Sequence, residues 1–371
     1  MRCLFAFRRY RLAFRQPLRT AHGRWTEREG VLIRLTAQNG WVGWGEAAPV
    51  PGFRMESAEA VATACQAWGE TVDLDEPPAI PPGLPTLHNA WWSATSGRAG
   101  SDRLVAGTAD GVQARPEVAR HRASPTNPHE ALSQQGARDL NQALSVAALL
   151  PSGPACLGVA IARVETGFRA FKWKVGAGDW QDELAILDDL CAILPAGSKL
   201  RLDANGAWDR RTAERWLERC ADRPVEFIEQ PVAREARGAD DLLLGLAGDF
   251  PTPLALDESL IGAGDLDQWL GRGWPGFYVV KPALLPDPAI ALAQLARVDA
   301  RVVFSSALET GLGARAALEC AFAWKGECRA LGFGVWPLFA DGACDGPAAA
   351  PFLRRSDVDR LNPETVWNAV S

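Results

Sequence analysis

The chain has 371 residues, of which 47% are hydrophobic and 23% are charged, and 45 acidic against 39 basic residues give a formal net charge of −6. No apolar run approaches the roughly 20 residues that a membrane-spanning helix needs, and the basic excess that neutralises a phosphate backbone is absent. We therefore expect neither a membrane nor a nucleic acid as a partner. The eight cysteines form no CxxC pair, and no secretory leader is recognisable, which predicts reduced thiols in a cytoplasmic protein.

The N-terminal region predicts an α+β unit. Residues 2–35 alternate polar and apolar positions as strands do, and the turn residues Asn39 and Gly40 then lead into a Trp-Val-Gly-Trp-Gly-Glu run. This arrangement is typical of a β-hairpin. Residues 57–68 repeat apolar positions at helical spacing behind Ser57, a residue type that often caps helices.

Further along, short apolar strands alternate with amphipathic helices. This rhythm predicts parallel strands, in either a barrel or a doubly wound sheet. A barrel fits better because polar residues end strand after strand, whereas a doubly wound sheet concentrates its site at one switch point. The predicted strands are 144–150, 171–175, 199–203, 226–229, 254–257, 276–281 and 301–305, and helices between them include 183–194, 212–220 and 289–298.

Three acids end successive predicted strands: Asp203, Glu229 and Asp257. Each follows the last after about one strand-plus-helix repeat, so they are expected on one rim of the barrel. A single acid before an Asn-Gly turn is more often a cap residue. Three in phase would repel one another unless a positive charge lay among them, and Mg²⁺ prefers carboxylate oxygens. The pattern therefore predicts a divalent cation.

Lysines flank these acids. The period of two in residues 171–175 places Lys172 and Lys174 on one face of a strand and three apolar residues on the other, and Lys281 ends the strand after Asp257. An isolated Lys-x-Lys is usually an exposed edge, but buried ammonium groups require nearby anions. Lysines on opposite walls reach opposite faces of a substrate α-carbon. We expect burial and proximity to lower the pKa of each lysine, which brings one of them toward the range of a general base.

These residues resemble the enolase superfamily, and within it the o-succinylbenzoate synthase family of the muconate lactonizing enzyme-like subgroup. The motifs are Phe-Lys-Trp-Lys-Val-Gly, Arg-Leu-Asp-Ala-Asn-Gly-Ala-Trp, Phe-Ile-Glu-Gln-Pro, Leu-Asp-Glu-Ser-Leu, Val-Val-Lys-Pro-Ala-Leu-Leu and Ser-Ser-Ala-Leu-Glu-Thr-Gly-Leu-Gly. The resemblance implies an α/β fold, a modified (β/α)7β TIM barrel with an N-terminal α+β capping domain. We assign residues 1–100, completed by 342–371, to the capping domain, 101–140 to a connecting segment of uncertain structure, and 141–341 to the catalytic barrel.

The resemblance also implies roles for individual residues. Asp203, Glu229 and Asp257 would ligate Mg²⁺, with Mn²⁺ as a possible substitute. Lys174 would act as the base and then as the acid that protonates a departing hydroxyl, Lys281 would stabilise an enediolate from the other face, and Lys172 would support Lys174 and the metal-bound carboxylate. Residues expected to bind the substrate are Arg201, Asn205, Ser305, Ser306, Thr310 and Gly311. The loops 20–24 and 50–53 are expected to close over it.

The reaction implied is the syn dehydration of 2-succinyl-6-hydroxy-2,4-cyclohexadiene-1-carboxylate to 2-succinylbenzoate, in menaquinone or phylloquinone biosynthesis. The expected partner is thus a small carboxylate substrate, and the oligomeric state stays open, with a monomer possible. The alternatives are an N-acylamino acid racemase or a dipeptide epimerase, because both lysines could deprotonate an α-carbon. A further alternative is a non-catalytic binding protein on the same scaffold, which predicts that at least one of the charged rim residues is missing; none is.

Overall fold

The structure is a computed structural model that describes residues 1–20, 23–53, 55–96, 142–262 and 264–370. The predicted connecting segment 101–140 lies outside these residues, as does part of the predicted loop 20–24. Within the described chain, no helix combines the length and the apolar character that crossing a membrane requires.

An antiparallel sheet forms the N-terminal domain. It contains β1 (Arg2–Thr20), β2 (Gly23–Ala37), β3 (Val42–Ala47) and β4 (Thr71–Asp73), in the order β3-β2-β1-β4. The turn between β2 and β3 has Gly40 at a φ of 84°, and the Asn39 side chain accepts a hydrogen bond from the Trp41 N–H at 3.0 Å. The predicted hairpin is therefore confirmed.

Two helices of the described chain pack on this sheet: α1 (Ala58–Ala67) and α2 (Pro85–Ser96). Ser57 caps α1 as predicted, since its hydroxyl accepts a hydrogen bond from the Ala60 N–H. Helix α2 was not predicted. It approaches β3 so closely that a Cβ atom on Gly45 would lie 2.0 Å from the Ala90 carbonyl oxygen. The glycines of the Gly-Trp-Gly run in β3 therefore allow α2 to pack against the sheet.

A curled parallel sheet forms the second part of the molecule. The predicted strand 144–150 divides into β5 (Ala143–Ser145) and β6 (Ala147–Leu150). The sheet continues from β6 in chain order through β7 (Ala170–Lys174), β8 (Lys199–Asp203), β9 (Val225–Glu229), β10 (Leu254–Leu256), β11 (Phe277–Val280) and β12 (Arg301–Phe304). Residues 331–332 close the ring, because Leu331 bridges Val146 beside β6 and Gly332 bridges Ser305 beyond β12. The predicted (β/α)7β barrel is thus confirmed, with seven strands and a bridge of two residues in the eighth position.

Helices cover the outside of the barrel. They are α3 (Ala155–Glu165), α4 (Trp180–Ile193), α5 (Arg210–Cys220), α6 (Ala239–Asp249), α7 (Asp265–Gly271), α8 (Pro288–Arg297) and α9 (Gly311–Ala323). Large aromatic side chains fill the layer between strands and helices. Trp216 of α5 stacks on Trp208 with ring centroids 4.9 Å apart and contacts Trp173 of β7. This burial fixes which face of β7 points outward.

The C-terminal segment contacts both parts of the molecule. Strand β13 (Phe352–Arg354) pairs antiparallel with β5, and two short helices follow, α10 (Arg355–Asp359) and α11 (Pro363–Ala369). Trp367 of α11 contacts Trp44 of the N-terminal sheet, with ring centroids 5.6 Å apart. This contact agrees with the assignment of residues 342–371 to the capping domain, although the domain boundaries themselves stay a prediction.

Candidate active site

The three predicted acids lie at one end of the barrel. Asp203 and Glu229 end β8 and β9 and are direct register partners, and Asp257 follows β10. Their relative exposures are only 8%, 1% and 5%. Because the carboxyl ends of parallel strands meet at the same rim, the barrel buries three neighbouring carboxylates there.

Two lysines contact these carboxylates. The Lys172 ammonium nitrogen lies 2.9 Å from Asp203 Oδ2 and 2.7 Å from Glu229 Oε1, and the Lys281 ammonium contacts the Asp257 carboxylate. The alternation predicted for residues 171–175 is confirmed, since the apolar side chains are buried toward the helices and the lysines point into the barrel. The charges of acids and lysines therefore compensate one another inside the barrel.

Only one of the three lysines has the lowered pKa that the sequence predicted for all of them. Burial lowers the pKa of Lys174, and the nearby Asp203 only partly offsets this. Burial also acts on Lys172, but the carboxylates of Asp203, Glu229 and Asp257 outweigh it and raise the pKa of Lys172. The pKa of Lys281 is likewise raised, chiefly by Asp257 against the effect of burial. For these two lysines the expectation was wrong, because it considered the lysines as a pair and left out the ion pairs that each forms.

Lys174 and Lys281 lie on opposite walls. Lys174 ends β7 and Lys281 follows β11, which is four strands further along the sheet. In the described ring of seven strands and one closing bridge, four positions are half of the circumference. The three acids come from the strands between the two lysines. A group held at the acids is therefore flanked by a lysine side chain on each side.

The carboxylate oxygens at this rim suit a hard cation, although these carboxylates form ion pairs with lysines in the structure. Among the described residues, no three His, Cys, Asp or Glu side chains form a ready-made metal cluster. Burial raises the pKa of Glu229 well above its usual range, and the charges of Asp203 and Asp257 add to this. Three carboxylates that repel one another, and that offer only oxygen ligands, fit Mg²⁺. Lys172 and Lys281, which pair with these carboxylates, would have to make room for the ion. The ligand assignment stays a prediction.

A cleft with an empty volume of about 540 Å³ opens beside these residues. Its size is ordinary for a small-molecule site. Its lining includes both charged or polar and apolar side chains. It is lined by Trp25, Val50, Phe53, Asn205, Asp257, Glu258, Ile261, Lys281, Leu284, Ser306, Ala307 and Leu308. The predicted loop 50–53 thus contributes to the wall, as expected for a segment that covers a substrate.

Comparisons with known proteins agree with this architecture. The family model described as "Enolase C-terminal domain-like" matches residues 158–349, and the one described as "MenC, N-terminal domain" matches residues 1–86. An o-succinylbenzoate synthase from Thermosynechococcus vestitus is 37% identical over 338 residues, which cover 89% of this chain and 91% of that protein. The chain belongs to the o-succinylbenzoate synthase family of the enolase superfamily.

A solved structure of a member of this family extends the likeness to nearly the whole chain. It is an o-succinylbenzoate synthase from Thermosynechococcus elongatus BP-1 complexed with magnesium in the active site, with a TM-score of 0.72, 34% identity and 99% coverage of both chains. A hydrophobic dipeptide epimerase from Roseobacter litoralis is also similar, at 30% identity over 68% of this chain and 67% of that protein. Two of the activities that the sequence analysis kept open are thus found among relatives of this chain.

Two of the substrate-binding residues predicted from the o-succinylbenzoate synthase family line the cleft. These are Asn205 and Ser306. Asn205 Nδ2 donates a hydrogen bond to Glu258 Oε1 at 3.1 Å, and Glu258 itself lines the cleft. Burial, together with the charge of Asp257, raises the pKa of Glu258 to about 7. Sequence reasoning missed Glu258, although it directly follows Asp257 in the Leu-Asp-Glu-Ser-Leu motif.

Thr310 and Gly311, at the start of α9, are not among the residues that line the cleft, and their role at the substrate stays a prediction. Glu46 of β3 binds this helix start: its carboxylate accepts hydrogen bonds from the Thr310 N–H at 3.0 Å, the Thr310 hydroxyl at 2.5 Å and the Gly313 N–H at 2.8 Å. The Tyr10 hydroxyl donates a further hydrogen bond to Glu46. The backbone donors that suit a substrate carboxylate are therefore satisfied by an acid of the N-terminal domain.

Arg201 and Ser305 also lie away from the cleft lining. Arg201 is on the interior face of β8, but two residues before Asp203, so it lies deeper in the barrel. Its guanidinium is 2.6 Å from Glu226 Oε2 and donates to the Ala330 carbonyl at 2.7 Å. The Ser305 hydroxyl donates to the Gly332 carbonyl at 3.4 Å, where the barrel closes. Both side chains have structural partners, and a role for either in substrate binding stays a prediction.

Arg28 connects two segments that border the cleft, a role that the sequence did not reveal. Its side chain is buried, and its guanidinium donates to the carbonyls of Ala48 and Pro49 in the N-terminal domain. It also donates to the carbonyls of Ala307 and Leu308, at 3.3 and 3.2 Å. The Arg28 side chain therefore links the N-terminal domain to the barrel beside the cleft.

Proposed function

We propose that this chain is an o-succinylbenzoate synthase, a hydro-lyase that converts 2-succinyl-6-hydroxy-2,4-cyclohexadiene-1-carboxylate to 2-succinylbenzoate and water. One observation carries the proposal: Lys174 and Lys281 flank a rim of three buried carboxylates from opposite walls of the barrel. The likeness over most of the chain to o-succinylbenzoate synthases supports the choice of reaction.

Lys174 carries out both proton transfers in this proposal. Burial lowers its pKa, so a larger share of the side chain is a neutral amine, which can accept a proton. It removes the proton from the carbon that bears the carboxylate, and the electrons of the broken C–H bond pass into an enediolate. The resulting ammonium then gives the proton to the hydroxyl on the neighbouring carbon. Water leaves, the ring becomes aromatic, and Lys174 returns to the amine.

The other charged residues either stabilise the negative charge of the enediolate or would hold the cation that does so. Lys281 has a raised pKa and stays an ammonium, so it stabilises the enediolate from the face opposite Lys174. Lys172 keeps its positive charge beside Asp203 and Glu229 and orients the carboxylate end of the site. Asp203, Glu229 and Asp257 would hold Mg²⁺, or Mn²⁺ in its place. Once bound, the ion supplies positive charge to the carboxylate on which the enediolate charge develops.

A dipeptide epimerase or N-acylamino acid racemase is the second candidate, because two amines on opposite walls can also remove a proton from one face and return it on the other. The similar hydrophobic dipeptide epimerase supports this reading. The likeness to the o-succinylbenzoate synthase is higher, at 37% against 30% identity, and covers more of both chains. This difference favours dehydration.

The proposal also covers the setting of the enzyme. The product class belongs to menaquinone or phylloquinone biosynthesis, the substrate is a small carboxylate, and we place the protein in the cytoplasm.

A paired assay tests the proposed reaction. Purified protein with Mg²⁺ is offered the cyclohexadiene substrate and, separately, N-succinylamino acids; we expect formation of the aromatic product. Lys174→Ala should bind Mg²⁺ but lose turnover. The control is Lys199→Ala, which removes an exposed lysine at the opposite end of β8. Efficient racemisation with negligible dehydration would overturn the synthase assignment, and full activity of Lys174→Ala would overturn the role of Lys174.

A further inference from the structure

A buried amide of the N-terminal domain contacts the barrel turn that follows Lys281. Asn89 lies on α2 and is only 5% exposed. Its Nδ2 atom donates to the Pro282 carbonyl at 2.7 Å and to the Leu285 carbonyl at 2.6 Å. Both hydrogens of the amide nitrogen are used, so the contact fixes the position and the orientation of the side chain.

The two accepting carbonyls belong to the turn that follows Lys281. Residues Pro282–Leu284 form one turn of 3₁₀ helix. The Leu284 N–H donates to the Lys281 carbonyl at 2.9 Å, and the Leu285 N–H donates to the Pro282 carbonyl at 3.2 Å. Pro282 has no N–H to add. The hydrogen bonds from Asn89 therefore equal in number the two that the turn forms itself.

The helix that carries Asn89 is held firmly in its own domain. Close packing of α2 on β3 leaves no space for a side chain at Gly43 or Gly45. The Ser93 hydroxyl, one helical turn after Asn89, donates to the Trp44 carbonyl at 3.2 Å. Asn89 is thus a rigid attachment point, of the kind that can position a neighbouring active-site group.

We propose that Asn89 is a positioning residue for Lys281: its amide holds the turn that begins at Lys281 and so keeps the ammonium group at Asp257 and the cleft. Leu284 of the same turn lines the cleft, so displacement of the turn would move a charged group and an apolar wall together. The expected effect on catalysis rests on the proposed function, in which Lys281 stabilises the enediolate. The expected effect on the turn does not depend on the proposed function.

The size of the effect follows from what is lost. Asn89→Leu keeps a side chain of similar shape but removes both donors. The turn then depends on its own two hydrogen bonds, and Asn89 no longer holds the backbone next to Lys281. Misplacement of a catalytic group by about 1 Å can cost as much as 100-fold in rate, so we expect a loss of roughly 10-fold in kcat. KM should change less than kcat, because most of the cleft is unaltered.

The test compares Asn89→Leu with Ser93→Ala. The control removes a hydrogen bond of the same helix that stays within the N-terminal domain. Amide hydrogen exchange, read by mass spectrometry on the peptide containing Leu284 and Leu285, should be at least about 10-fold faster in Asn89→Leu than in the control. kcat is then measured for Asn89→Leu alone and combined with Lys281→Arg. If Asn89 acts through Lys281, the second loss should be under about twofold in the Lys281→Arg background.

Each result bears on a separate claim. Exchange and kcat like those of Ser93→Ala, or a full 10-fold loss on top of Lys281→Arg, would overturn the positioning role. If the unaltered protein does not dehydrate the substrate, the proposed function fails, and the exchange measurement alone decides whether Asn89 holds the turn. Should Asn89→Leu not fold, Asn89→Ala removes the same donors without requiring space and enters the same comparison.

Discussion

Replacing Glu309 by glutamine is expected to change how the stability of the protein depends on pH. Glu309 is fully buried, and burial, aided by the charge of Glu46, raises its pKa from an ordinary 4.5 to about 7. One of its oxygens accepts from the Ser306 hydroxyl and the Ala307 N–H, and the other is buried without a partner among the described residues. The folded protein therefore binds a proton at this carboxyl more tightly than the unfolded chain does.

The sign and the size follow from proton linkage. The contribution is fully present below pH 4.5, where both states are protonated, and it is lost as pH rises toward and through 7. A difference between 4.5 and about 7 corresponds to roughly 3 kcal/mol of unfolding free energy, lost at about 1.4 kcal/mol for each pH unit in that range. Glutamine does not titrate, so Glu309→Gln should lack this part of the decline. Its unpaired amide adds only an offset that is constant with pH.

Urea unfolding at pH 5, 6, 7 and 8 measures the difference. We expect the unfolding free energies of the two proteins to converge, or to cross, as pH rises, because the unaltered protein loses about 2 to 3 kcal/mol more between pH 5 and 8. Glu70→Gln, at an exposed position of the N-terminal domain, is the control for loss of an acid in general. Parallel curves for Glu309→Gln and the unaltered protein would refute the reasoning.

Two further predictions concern the base and the domain packing. Because the pKa of Lys174 is lowered and only its neutral amine accepts a proton, kcat/KM should rise with pH and reach half of its plateau below 10.5; a midpoint at or above 10.5 would contradict this. Gly45→Ala should destabilise the protein by about 1 to 3 kcal/mol through collision with Ala90, whereas Gly158→Ala, whose new methyl group meets nothing within 4 Å, should not; equal melting temperatures would contradict the packing argument.

The sequence predicted the parts of the active site that depend on local periodicity. Alternation along residues 171–175 was enough to point Lys172 and Lys174 inward, and the repeat length placed Asp203, Glu229 and Asp257 on one rim. Alternation does not tell the depth of a side chain along the barrel axis. Arg201 shares the interior face with Asp203, but it lies two residues, or about 7 Å, further from the rim, so alternation alone does not bring it to the cleft.

Contacts between distant parts of the chain could not be predicted in this way. The motif at Thr310 indicates a helix start that can bind a carboxylate, but not that Glu46, which is 264 residues earlier, supplies it. Helix α2 was missed because its sequence, Pro-Thr-Leu-His-Asn-Ala-Trp-Trp-Ser-Ala-Thr-Ser, is rich in residues that favour helices weakly. Asn89 was missed with it. Such residues gain their roles from the docking of the two domains.

The closure of the barrel makes its two halves mechanically unequal. One arc, from Lys174 through the three acids to Lys281, is an unbroken series of paired strands. The other arc contains a seam, where Leu331 bridges Val146 beside β6 and Gly332 bridges Ser305 beyond β12. Thermal loosening should begin at this seam, because the segment that closes the ring is only two residues long, shorter than any of the seven strands. The spacing of the two lysines is set by the stronger arc, so the chemistry of the rim is shielded from motion at the seam.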